Sequence, residues 1–254
     1  MWSGGNRKND MRDGVADVYL SDGDVAMTDA AGLLWRHDGG PLAAGLAALV
    51  EQMSGQGAPR GARIWLGASL CRPVRIPAIA GARSRKERLH LAELVAVADS
   101  GLTPPCRVSV DAASGADDAV AVVVEEGVLS AIDRALESVK LRASSIRPWW
   151  AEALAAALRA NPALRAFGVF EGRALTFLIG EGYGFAAAQT LYPVQGVESA
   201  SAAFARTLVS AMISPDDALA VSLDWAVAPE IADGVPVTEA AMFTPWVRRL
   251  GAAS

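Results

Sequence analysis

The sequence predicts an α/β protein built from two related lobes, and three observations carry that prediction. The order strand-strand-strand-helix-strand occurs twice. Residues 16–53 supply three short strand patterns and a helix before a strand at 62–67, and residues 166–213 repeat the succession before a strand at 218–223. Between the copies, residues 119–158 alternate strand, helix, strand and helix. No low-complexity linker separates the halves, so they are expected to share an interface, with a cleft between them.

In the first copy the strands are Asp17-Val-Tyr-Leu, Val25-Ala-Met-Thr and Leu33-Leu34-Trp35, joined by turns at Ser21-Asp22-Gly23 and Ala30-Ala31-Gly32. Gly39-Gly40-Pro41 introduces a helix whose apolar positions Leu42, Leu46, Leu49 and Met53 recur at helical spacing. Gly55-Gln-Gly57 stops it. Arg63-Ile-Trp-Leu-Gly reads as a strand and Val74-Arg-Ile-Pro as a short extended piece. Ser84 caps a helix through Ala98, with Glu87 three residues on as a capping box. Strands follow at Arg107-Val-Ser-Val and at Ala119–Val124, the latter apolar throughout and so covered on both faces.

Glu126–Lys140 is a predicted helix with Val128, Leu129, Ile132, Leu136 and Val139 on one side, and Leu141–Ile146 returns as a strand. Pro148 falls in the first turn of a helix through Arg159, where a missing N–H costs nothing, and Asn161-Pro162 ends it. The second copy has strands at 166–170, 174–179 and 185–191, with turns at Glu171-Gly172 and Gly180-Glu181-Gly182. Pro215-Asp216-Asp217 leads into the last strand. From Ala226 the tail is irregular except for a short helix at Glu239–Phe243. The domain reading is therefore a disordered 1–14, a first lobe at 15–147 with an inserted subdomain at about 72–117, a shortened second lobe at 148–225 and a tail at 226–254.

At 254 residues, 52% hydrophobic and 20% charged, the chain can bury a substantial core. A net charge of −5 argues against a nucleic-acid footprint, which needs concentrated positive charge. No window reaches the roughly 18 consecutive apolar residues of a membrane span, and the first residues lack the apolar core of a signal peptide. Two cysteines, Cys71 and Cys106, make no disulfide framework and read as inert thiols. These features point to a cytoplasmic protein.

The stretch Ala119-Val-Ala-Val-Val-Val-Glu-Glu-Gly-Val-Leu, followed by Ile132, Leu136, Lys140-Leu-Arg, Ser145-Ile-Arg-Pro148 and Ala151–Leu158, resembles one segment of a known family. That segment is the strand, helix, strand and connecting helix of the type IV pilus assembly protein PilM and of the cytoplasmic part of the type II secretion L protein. Arg72-Pro-Val-Arg-Ile-Pro77, with the basic helix behind it, is similar to the family's small inserted subdomain. The correspondence covers roughly residues 15–225 as a pattern of apolar positions with few identities. The resemblance implies an actin-like, duplicated RNase H-like fold. It also implies a cytoplasmic platform component, associated with the inner membrane through an inner-membrane partner whose short segment it binds, with an assembly ATPase as a second partner. Lack of a span fits the pilus member, or the secretion member cut before its span.

Actin-like ATPases place phosphates between two Asp-x-Gly hairpins and adenosine against a Gly-Gly turn, where backbone N–H groups approach the phosphates and aspartates hold the metal. Here the first hairpin reads Ser21-Asp22-Gly23-Asp24, with its tip late and Asp17 inside the strand. The second reads Glu171-Gly172-Arg173, with Phe170 where the aspartate would stand, and Asp224-Trp225 follows the last strand. Ordinary hairpin turns account for these residues, so no cofactor and no ATP hydrolysis are expected.

Other constellations carry less. Gly180-Glu-Gly182-Tyr-Gly184 lacks the helix a dinucleotide loop requires. His37, placed in a turn, and His90, mid-helix, have no metal-ligand spacing. Asp117-Asp118 and Asp216-Asp217 read as solvated turn residues, and Asp17 with Asp111 is too sparse a set for an RNase H-type nuclease. Trp65 reads as core, and at least one of Trp149 and Trp150 should bury. Arg83, Arg85, Lys86 and Arg88 cluster at a helix start in an otherwise acidic protein. They read as a solvated face, as a surface steering an acidic partner segment, or as a contact for anionic lipid headgroups. The reading is a non-catalytic scaffold, a pseudo-ATPase of pilus or type II secretion assembly. The alternative is a diverged ATPase or kinase-like enzyme holding ATP in the inter-lobe cleft.

Overall fold

The computed structural model describes residues 15–29, 32–56, 61–79, 81–82, 84–110, 119–171, 174–181, 184–192, 196–223 and 247–249. They divide into two compact units, Met1–Gly67 with Gly127–Trp149, and Ala68–Glu126 with Trp150–Ser254.

The first unit is built on β1 (Val15–Leu20), β2 (Asp24–Asp29), β3 (Gly32–Asp38), β4 (Gly61–Leu66) and β8 (Ala143–Pro148), in the order β3-β2-β1-β4-β8. The first three form an antiparallel meander, whereas β4 joins β1, and β8 joins β4, in parallel. A parallel neighbour needs a long crossover, which α1 (Leu42–Gln56) supplies between β3 and β4. Every residue of β1 after Val15 is buried, as expected of a central strand covered on both faces. Val18, Leu20, Met27, Leu49, Met53, Ile64 and Leu66 form this core. From α3 (Glu126–Ser138), Ile132 and Leu136 are buried, at the positions the helical spacing singles out.

The second unit repeats the plan with β9 (Ala166–Glu171), β10 (Ala174–Glu181), β11 (Gly184–Leu191) and β12 (Ala218–Leu223), in the order β11-β10-β9-β12. Again a meander is followed by a parallel strand, with α5 (Gly196–Ser210) as the crossover. The repeated pattern of the sequence is thus a repeated topology. The fifth strands differ: β13 (Val247–Arg249) joins β12 antiparallel. Gly168 on β9 lies under Phe204 of α5, where an added Cβ would come within 2.8 Å of two ring carbons, so a side chain there has no room.

The insertion is a second sheet in this unit, β5 (Cys71–Ile76), β7 (Ala119–Glu125) and β6 (Cys106–Val110), antiparallel in the order β5-β7-β6. One face is covered by α2 (Arg85–Ser100), whose Ala92 and Ala96 pack on Val74, Ile76, Ala121 and Val123. Inserted in sequence within the first lobe, this sheet packs in space with the second: Arg75 Nε donates to the Phe185 carbonyl of β11 at 2.8 Å, and Arg72 lies over the Tyr192 ring, 5.3 Å from its centroid.

Several expectations shift. Ser84 caps α2 and accepts from the Glu87 N–H at 3.1 Å as predicted, but the helix runs on to Ser100 and stops at Gly101, left-handed at φ 64°. The extended piece at Val74 is a full strand. α3 ends early because Lys140 takes a positive φ of 59°. Pro148 closes β8, so α4 (Trp149–Ala160) begins after it and not through it. His37 lies in β3, stacked on Trp35 at 6.3 Å, and is no turn residue. A strand, β13, occupies part of the tail expected to be irregular, while Glu239–Phe243 lies outside the described residues.

Replacing Gly168 with alanine should cost about 1–3 kcal/mol in urea denaturation, the range for overpacking, and Phe204→Leu in the same background should return part of it. Unchanged stability in Gly168→Ala would mean that β9 and α5 do not pack this closely.

Candidate functional site

Three carboxylates lie in or beside the two hairpins, Asp17 and Asp24 around the first and Glu171 at the second. Each has partners within its own unit.

Asp17 has no exposed surface. Parallel register sets Asp17 of β1 beside Arg63 of β4, and Trp65 lies two residues on, on the same face. Arg63 Nη2 donates to Oδ2 at 2.6 Å and Trp65 Nε1 to Oδ1 at 2.7 Å, so both oxygens are engaged. A buried carboxylate is tolerated only when paired and hydrogen-bonded in this way. Asp17 is thereby a structural residue, and Trp65, as expected, is core.

In the hairpin itself Gly23 takes φ 102°, and the Ser21 N–H and hydroxyl both donate to the Asp24 carbonyl, at 2.8 and 3.2 Å. Across the meander, Arg36 of β3 grips the Asp24 carboxylate through Nη2 at 2.7 Å and Nε at 2.9 Å. Burial pushes the Asp24 carboxyl above its ordinary value, and the Arg36 pairing pulls partly against that shift. Asp22, at the tip, is exposed.

At the second hairpin Phe170, at the position where the sequence reading looked for an aspartate, is a ring packed in the β9 core. Its neighbour Glu171, also buried, accepts the Ala68 N–H on Oε2 at 3.2 Å. Burial first, and then the Glu171 charge, hold the fully buried Cys71 thiol well above its usual range, so it is inert at neutral pH. Gly172, Arg173, Asp111, Asp117, Asp118, Asp224 and Trp225 lie outside the described residues. Among the described residues no group of three or more His, Cys, Asp or Glu side chains is disposed to hold a metal ion, and no helix is long and apolar enough to cross a membrane. Trp149 and Trp150 are both buried, and Trp149 meets Tyr19 edge-on at 6.2 Å.

The basic cluster sits at the opening of α2. Arg85, Lys86 and Arg88 are exposed, and none forms an ion pair among the described residues; Arg83 lies outside them. Because the helix N-terminus is itself electropositive, these charges oppose the macrodipole. The counter-ions Arg36 and Arg63 escaped the sequence reading. The spacing of Arg63 and Trp65 matched a strand, but no sequence signal fixes which strand lies beside it.

No protein-family model matches the chain, and no curated protein matches it in sequence. Among solved structures the chain is similar to a Bacteroides thetaiotaomicron protein with an actin-like ATPase fold and unknown function, at 11% identity and a TM-score of 0.56, over 83% of this chain and 82% of that one. It is also similar to a chain of a PilM–PilN type IV pilus biogenesis complex, at 13% identity and a TM-score of 0.51, over 78% of this chain and 66% of that one. The cytoplasmic domain of EpsL, an inner-membrane component of the type II secretion system of Vibrio cholerae, aligns at 13% identity and a TM-score of 0.49, over 81% and 82%. The fold is therefore actin-like, an α/β architecture in which one strand-and-helix plan appears twice. It is the fold that the PilM–PilN structure also carries.

Asp17→Asn, which keeps the shape but strands the Arg63 charge, should cost about 2–3 kcal/mol in thermal or urea unfolding. Asp24→Asn breaks a partly exposed pair and should cost less than about 1 kcal/mol. Equal losses would mean that Asp17 is not the more tightly held of the two.

Proposed function

We propose that this protein is a non-catalytic scaffold of a type IV pilus or type II secretion assembly platform, working at the cytoplasmic side of the inner membrane by binding the cytoplasmic segment of a platform protein. The observation that carries the non-catalytic part is the state of the carboxylates. Asp17 is consumed by Arg63 and Trp65, Asp24 by Arg36, and Glu171 holds the Ala68 N–H. Phosphoryl transfer needs carboxylates free to hold a metal ion and orient water, and these three are engaged in contacts within the fold, two between strands and one with a turn amide. The platform part rests on the shared fold with a structure of a PilM–PilN complex. An assembly ATPase is a second candidate partner.

The surface we assign to the partner is the basic opening of α2, Arg85, Lys86 and Arg88, continued in sequence by Arg83. In a chain of net charge −5, a compact positive patch is a local exception that steers an acidic segment toward this face. The 15–147 and 148–225 lobes of the sequence reading serve in this proposal as the frame that presents the insertion.

Reversing two charges, Arg85→Glu with Lys86→Glu, should lower recovery of pilus or secretion platform proteins in a pull-down by about tenfold while leaving the melting temperature unchanged. Full recovery would remove this surface from the proposal. Magnesium with ATP at millimolar concentration should leave the melting temperature unmoved. A saturable rise, the mark of a ligand that binds only the folded state, would instead favour an enzyme.

A further inference from the structure

The three-stranded inserted sheet has two outer strands, and they are treated differently. β5 lies against β11, tied to it by the Arg75–Phe185 hydrogen bond. β6 has β7 on one side and, among the described residues, no strand on the other. An open strand edge is a template for further pairing, and proteins usually blunt it with proline, a bulge or clustered charge. Within Cys106–Val110 there is no proline, the pairing with β7 runs without a register shift, and Arg107 is the one charged residue.

Hydrogen-bond parity shows which groups face outward. The Glu126 N–H donates to the Pro105 carbonyl at 2.9 Å, which marks 105 and 126 as a hydrogen-bonded pair. In an antiparallel ladder such pairs alternate. Arg107 and Ser109 therefore bond to β7, opposite Val124 and Val122, and the N–H and C=O groups of Cys106, Val108 and Val110 point to the open side. Side chains alternate the other way. Val108, Val110 and Cys106 pack toward α2, and Arg107 and Ser109 are exposed on the opposite face.

This edge complements itself. If a second copy lies antiparallel across a two-fold axis at Val108, the outward groups of Val108 pair with those of its symmetry mate, and Cys106 pairs with Val110 of the other copy. On the exposed face each Arg107 then stands opposite a Ser109, so neither arginine meets its like. The ends match as well. Glu125 stands directly across the ladder from Cys106, accepting the Thr103 N–H at 2.9 Å, and Glu126 follows it. The reversal at 101–105 puts the Arg85, Lys86 and Arg88 turn of α2 at the Val110 end. Antiparallel pairing brings the acidic end of one copy toward the basic end of the other. We propose that β6 is a homodimer interface, in which two copies join their inserted sheets edge to edge through Val108 about a two-fold axis. The strand pairing does not rest on the scaffold role, and only the end charges draw on the basic turn of α2 assigned above to a partner.

Sedimentation equilibrium of the full chain tests it, from micromolar to sub-millimolar protein. The wild type should dimerise reversibly, and more weakly at high salt because the end charges are exposed. Ser109→Arg places an arginine opposite each Arg107 and should weaken association about tenfold through its two symmetric contacts, whereas Ser109→Asp should strengthen it. Adding Arg107→Glu to Ser109→Arg swaps the pair and should restore the wild-type value. Both positions are exposed, and circular dichroism should confirm that each variant is folded. A wild type that stays monomeric throughout, or a dimer indifferent to all three changes, would overturn the proposal; so would weakening by Ser109→Arg that Arg107→Glu fails to rescue.

Discussion

A carboxylate with no contact with water, set in the central strand of a sheet, dictates much of what surrounds it. Asp17 can stay in β1 only because β4 lies parallel to it in one particular register, with Arg63 alongside and the Trp65 indole two residues further on the same face. A slip by one residue would turn both donors to the opposite face and leave a charge uncompensated in the core. The pairing thus fixes register as well as adding energy. With β4 so placed, Gly67 follows tightly enough that a Cβ there would meet the Tyr19 hydroxyl at 2.5 Å and Ser21 Cβ at 2.9 Å, so the start of the first hairpin is shaped by the same strand.

The ion pairs that hold Asp17 and Asp24 thus also join neighbouring strands of the first sheet. Arg36 and Arg63 come from strands adjacent to the acids they neutralise, and both contacts tie neighbouring strands of the meander or of the parallel pair. In the second unit the equivalent hairpin has a phenylalanine buried in its core and a glutamate turned to a backbone amide. Among the described residues the two copies of one plan thus hold their hairpin acids differently, one by ion pairing and the other by a hydrogen bond to a backbone amide.

Much of this architecture was legible in the sequence. The repeated strand-and-helix order, the Ser84 cap and the apolar face of α3 are local patterns, and local physics writes them plainly. Register was not legible. Nothing in the spacing of Asp17 and Arg63 says that they touch, because the crossover between β1 and β4 allows many alignments. The attachment of the inserted sheet to β11 was equally hidden, since it rests on a side chain, Arg75, reaching a backbone carbonyl far along the chain. Pro148 shows a subtler limit. Its permitted φ suits the last residue of a strand as well as the first turn of a helix, and tertiary pairing with Leu66 decided for the strand.

The antiparallel β13 also bears on how the chain can be shortened. It caps the β12 side of the second five-stranded sheet, and it comes from Val247–Arg249, far downstream of the strand it covers. A version trimmed after β12 would keep the four strands of the repeated plan and move the outer edge of the sheet inward, from Val247–Arg249 to Val221–Leu223.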